Sequence, residues 1–130
     1  MTEIASGLYQ CGSAELTDEI ARVKPYLIVD LEGSIDPQGE GVGSYLHWGI
    51  EDGPLPDTYM LHAVAKLVYA CSRSPGGWSV LVHCAAGYNG ASLVIGAVLV
   101  ERGMRGRDAV ALIGAKRLGA LTSAQFASCL

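Results

Sequence analysis

The stretch SVLVHCAAGYNGASLVIGAVLV, residues 79–100, constrains this chain more than any other. An apolar run (Val80, Leu81, Val82) delivers His83-Cys84 into the short loop Ala85-Ala86-Gly87-Tyr88-Asn89, and a long apolar segment follows at once. Strand, tight loop, then helix points several backbone N–H groups and a helix N-terminus at one spot. A cysteine opening such a loop sits where the positive end of the helix dipole favours the thiolate. The same donors suit an oxyanion. Free cysteine is often simply a buried apolar residue, but the strand context, Gly87 and the following helix favour the loop reading.

With 130 residues the chain makes one domain (residues 1–130), long enough to enclose a core around a sheet. Half of its residues are apolar and its net charge is −4, so neither a nucleic-acid patch nor a basic membrane-binding face is suggested. The apolar stretch 91–100 is about half of what a bilayer-spanning helix needs and reads as a buried helix. The N-terminus shows no charged n-region followed by an apolar h-region, so no secretory signal is expected. Cys11, Cys71, Cys84 and Cys129 form no CxxC pair and have no metal-ligand spacing. No metal and no cofactor are therefore expected, and a reducing, cytoplasmic setting is the default.

Residues 7–12 read as a short strand closed by glycines. Ser13 is placed to cap a helix with Leu16, Ile20 and Val23 on one face, stopped by Pro25. The run Leu27-Ile28-Val29-Asp30-Leu31 has the length and character of a strand buried on both faces. Residues 34–44 form a Gly-rich loop in the wrong context for dinucleotide binding. Residues 45–50 predict another strand, and Asp57 is placed to cap a helix whose apolar stripe is Met60, Leu61, Val64, Leu67, Val68 and Cys71. After the 91–100 segment, Gly103 predicts a stop and Asp108 a cap for a helix with Ala109, Val110, Leu112 and Ile113 on its apolar face. Gly114 lies inside that helix at a cost of about 1 kcal/mol relative to Ala. Thr122 with Gln125, and Leu121 with Phe126, predict a final capped and stapled helix. Alternating strands and helices predict a compact α/β domain with a mainly parallel central sheet flanked by helices.

His83-Cys84, five residues and then an arginine position form the signature of the cysteine-dependent tyrosine and dual-specificity phosphatases. The chain matches it at His83, Cys84 and Gly87, and HCAAGYN resembles the small dual-specificity members. The resemblance implies a phosphocysteine formed at Cys84, with His83 helping to keep the thiol ionised. Ala85, Ala86, Gly87, Tyr88, Asn89 and Gly90 would wrap the phosphate. The pattern departs at Gly90, which holds the arginine position, and at Ala91, where Ser or Thr often assists hydrolysis, with Ser92 displaced by one. A guanidinium grips two phosphoryl oxygens in a planar fork. Loss of such a donor typically costs on the order of 10³ to 10⁵ in rate. Turnover is expected to be strongly reduced.

Ile50-Glu51-Asp52-Gly53-Pro54 resembles the general-acid loop of the same family, with Asp52 in the acid's place. Arg102, Arg105 and Arg107 lie beyond about twelve helical residues, roughly 18 Å from Cys84, and read as a solvated helix end. Arg117 is better placed, because a basic residue near that position can face the pocket mouth in the resembling family. The alternative for Lys116 and Arg117 is a charged helix end that complements the dipole. His47 and Trp48 read as ordinary sheet residues. The expected partner is a phosphorylated protein or a small phosphomonoester, with no nucleic acid and no membrane. Two further readings stand beside the phosphatase: a pseudophosphatase that binds phosphorylated partners without turnover, and a thiol redox protein using Cys84 with Cys11, Cys71 or Cys129.

Overall fold

The computed structural model describes residues 2–33, 44–50, 57–72, 79–85 and 90–117. They form strands β1 (Thr2–Ala5), β2 (Leu8–Gly12), β3 (Leu27–Asp30), β4 (Ser44–His47) and β5 (Val80–Cys84). The helices are α1 (Leu16–Val23), α2 (Thr58–Ser72), α3 (Gly90–Glu101) and α4 (Gly106–Lys116), with one 3-10 turn at Ser13–Glu15. The strands lie in one sheet in the order β1-β2-β5-β3-β4. β2, β5, β3 and β4 run parallel, and β1 is added antiparallel to β2. The α/β fold expected from the sequence is present, its five-stranded sheet mainly parallel with β1 as an antiparallel edge.

β5 sits centrally, and all five of its residues are buried. Alternation along it separates two cores. Val80, Val82 and Cys84 lie on one face with Val29 of β3 and the following Leu31, Leu61, Val64 and Val68 of α2, Leu93, Val94 and Val98 of α3, and Ile113 of α4. Leu81 joins Cys11, Ile28 and Leu16 on the other, where α1 packs. α3 is buried from Gly90 to Leu99, which is why its sequence is apolar all round instead of along one stripe. The register sets Gly12 beside Cys84 on one flank, and Asp30 beside His83 on the other. Three parallel strands thus end together where α3 begins.

Several local expectations are corrected. The β1–β2 hairpin was not anticipated; it turns through Ser6-Gly7, where Gly7 takes φ 78°, a left-handed value that glycine adopts freely. Ser13 does not cap α1. Its hydroxyl donates to the Ala85 carbonyl at 3.0 Å, and Glu15 reaches back to the Gly12 N–H at 3.2 Å. α1 ends where Lys24 turns left-handed (φ 50°) and its N–H bonds to Ile20 O. In α2, Leu61, Val64 and Val68 are buried as expected, but Met60 and Leu67 are 37% and 44% exposed. Asp57 does cap that helix, accepting the N–H groups of Tyr59 and Met60. Asp108 lies in the first turn of α4, with Arg105 at the cap. The loop 34–43, the turn 73–78 and the helix expected after Thr122 lie outside the described residues.

Candidate active site

Cys84 ends β5 on the face covered by α3, and Gly90 is the first residue of that helix. A Cβ placed on Gly90 would stand 3.5 Å from Cys84 Cβ, 3.8 Å from Cys84 Sγ and 3.9 Å from Leu31 Cδ1. The first turn of α3 therefore lies directly against the thiol. All three distances are ordinary van der Waals contacts. Among the described residues the glycines with positive φ are Gly7 and Gly103, so Gly90 is not demanded by its backbone. The start of the loop is anchored from β2, since Ala85 O accepts both the Ser13 N–H (3.1 Å) and the Ser13 hydroxyl. Ala86, Gly87, Tyr88 and Asn89 lie outside the described residues, as does Asp52.

Ser92 does not serve the thiol. Its Oγ accepts a hydrogen bond from Gln10 Nε2 at 2.9 Å, both groups being buried, which turns it toward β2. His83 alternates to the sheet face opposite Cys84 and is wholly buried. Its Nε2 lies 3.7 Å from Asp30 Oδ1. Asp30, also wholly buried, accepts the Glu32 N–H at 2.9 Å and a short hydrogen bond from the Tyr45 hydroxyl. Nearby, His47 Nε2 donates to Glu32 O at 2.7 Å, so His47 holds the bend after β3. Asp30 and Tyr45 were not singled out from the sequence. A charged residue inside an apolar run that reads as doubly buried was the available signal.

Arg117 follows α4 and donates to Glu15 Oε1 at 2.8 Å, the same oxygen that receives the Gly12 N–H. The guanidinium is thus brought to the end of β2, one strand from Cys84, and is engaged there by a carboxylate. Burial works against the Glu15 charge, but the bonds from Arg117 and Gly12 outweigh it and hold the carboxyl down at about 2. Because the folded value lies below the ordinary 4.5, this pairing stabilises the fold above that pH and is lost as pH falls toward about 2. Thermal melts should show wild type above Glu15→Gln at neutral pH, with the gap closing over that acid range. Curves that stay parallel would count against the pairing.

The thiol redox reading loses Cys11 as a partner. Cys11 faces the α1 side of the sheet and Cys84 the α3 side, so the sheet separates them. Burial pushes the Cys11 thiol up to about 12, with Glu15 and Glu19 adding to the effect, which makes it inert. Burial also raises the Cys71 thiol. Cys129 lies outside the described residues.

No protein-family model matches the chain. The mouse protein tyrosine phosphatase type IVA 2 is 36% identical over 80 residues, 62% of this chain and 48% of the relative. The human type IVA 3 protein is likewise 36% identical over 78 residues, 45% of its length. The chain spans about half the length of the curated relatives it matches. Among solved structures, DUSP15 superposes with a TM-score of 0.83 at 26% identity, covering 99% of this chain and 83% of that one. Human DUSP28 gives a TM-score of 0.84 over 99% of this chain and 92% of that one; at 22% identity it speaks for the fold alone. The fold and the segment around Cys84 define a cysteine-dependent phosphatase-like domain. Within that class the chain is dual-specificity phosphatase-like.

Proposed function

We propose that this domain binds phosphomonoesters, on phosphorylated proteins or small molecules, in a cradle formed by residues 85–90, with Cys84 as nucleophile. The thiolate attacks phosphorus, a P–S bond forms as the P–O ester bond breaks, and the leaving oxygen takes its proton from Asp52. Water then attacks the phosphocysteine, giving phosphate and the free thiolate. His83 precedes the nucleophile and is held from the opposite face. The observation that supports this reading most is the first turn of α3 seated against Cys84 Sγ, where its N-terminal dipole favours both a thiolate and a bound oxyanion.

Turnover on this reading is slow. Gly90 supplies amide but no guanidinium, Ser92 is committed to Gln10, and Arg117 is engaged by Glu15. Those same three observations favour the second reading, a pseudophosphatase that holds a phosphorylated partner without consuming it. One experiment separates the possibilities. Tungstate should raise the melting temperature through linkage, by the equivalent of about 2.7 kcal/mol at a hundredfold excess over Kd. Incubation with an aryl phosphate, acid quench and intact-mass analysis should then reveal phosphocysteine. No tungstate shift refutes a preformed cradle, and a shift without the adduct favours the binding-only reading.

A further inference from the structure

We propose that Asp30 is a positioning residue that decides which ring nitrogen of His83 carries hydrogen, and through that ring sets the reactivity of Cys84. The inference rests on the reading of Cys84 as nucleophile. Asp30 and His83 are paired across β3 and β5, both are wholly buried, and Nε2 faces Oδ1 at 3.7 Å. A carboxylate only accepts, so the nitrogen turned toward it carries the hydrogen. The separation is longer than a hydrogen bond. In a site closed to solvent, however, charge is little screened and still selects the ring's orientation.

The carboxylate is itself fixed from two elements, by the Glu32 N–H and the Tyr45 hydroxyl, so its direction is not free to follow the ring. Backbone bonds extend the connection: Leu31 N–H donates to His83 O at 2.9 Å, and Trp48 N–H donates to Asp30 O at 2.8 Å. The residue before Cys84 and the end of β4 are thus both bonded to the end of β3, at Leu31 and Asp30 respectively. Burying an acid in an apolar strand is costly unless it is paired; the Glu32 N–H and the Tyr45 hydroxyl supply hydrogen bonds, and His83 faces the same carboxylate. Among the described residues, the other titratable or charged groups on this side of the sheet include Tyr9 and Cys11 from β2, Tyr45 and His47 from β4, Glu32 after β3, Glu19 and Arg22 from α1, and the Glu15–Arg117 pair; α1 also presents Leu16 and Ile20.

Long-range ¹H–¹⁵N spectra of the histidine rings in the wild-type protein test this directly. Hydrogen on Nε2 of His83 is the expected result, and hydrogen on Nδ1 alone overturns the proposal without any variant. Iodoacetamide labelling of Cys84 at mildly acidic pH, read by mass spectrometry, gives the second measurement. Asp30→Ala should slow it about tenfold, the scale on which outer-shell partners of a functional group act. Asp30→Asn keeps the side-chain volume but removes the charge, so it should likewise slow labelling and shift hydrogen away from Nε2 of His83. An unchanged rate in Asp30→Ala, or a wild-type rate and ring pattern in Asp30→Asn, rejects the positioning role. If Asp30→Ala does not fold, the ring pattern in Asp30→Asn decides. Should wild-type Cys84 label no faster than Cys71, the nucleophile reading fails, while the ring spectra still report whether Asp30 orients His83.

Discussion

Gly90→Arg should raise turnover of an aryl phosphate by about 10² or more, because a guanidinium in this position adds a charge-assisted, two-point grip on the phosphoryl oxygens. Position 90 has room for a side chain to begin. The new Cβ would meet Cys84 and Leu31 at 3.5–3.9 Å, contacts that ask no neighbour to move. Two local effects on stability oppose each other. Replacing glycine in a helix gains up to about 1 kcal/mol, and a cation in the first turn loses about 0.3–1 kcal/mol against the dipole. The fold should therefore be little changed, and activity should be the quantity that moves. Steady-state kinetics checks this, with two controls. Cys84→Ser in the Gly90→Arg background should abolish the gain, and Asp52→Asn should reduce it most for poor leaving groups. A folded Gly90→Arg protein with no gain would favour the pseudophosphatase reading.

Truncating Leu31 should produce the other large effect. Leu31 is wholly buried in the core that also holds Cys84, and its Cδ1 lies 3.9 Å from where a Gly90 side chain would begin. Leu31→Ala removes the apolar floor between β3 and the first turn of α3. Denaturant unfolding should report a loss of about 2–5 kcal/mol. Tungstate binding should weaken as well, since the helix end loses what it is seated on. A loss of stability with undiminished tungstate affinity would mean that the helix start is held by other contacts.

Much of this arrangement was legible from the amino-acid order, for identifiable reasons. β5 and α3 announce themselves because buried central elements need continuous apolar sequence, and Cys84 stands at their junction. The β1–β2 hairpin was missed because Thr2–Ala5 offers only four residues of pattern. Met60 and Leu67 were read into the α2 stripe because an apolar side chain carries no mark of which helix flank it occupies; both are partly exposed. Ser13 has the chemistry of a cap, yet the Ala85 carbonyl claims its hydroxyl. The Glu15–Arg117 pair joins residues 102 positions apart, a separation that no local spacing rule reaches. Asp30 was hidden by its neighbours, whose apolar character set the reading of the whole run.

The alternation of β5 has a consequence for how such a domain can change over time. His83 and Cys84 are chain neighbours, yet they project to opposite sides of the sheet, Cys84 into the core lined by α3 and His83 toward the side where α1 packs. Substitutions that adjust the imidazole can accumulate on the side where α1 packs, away from Cys84 and the first turn of α3. Point substitution is thereby granted considerable freedom, and insertion or deletion almost none. Adding or removing one residue within Val80–Cys84 would invert the strand's facing. The ring would then lie beneath α3 and the sulfur against α1, exchanging the two compartments in a single step.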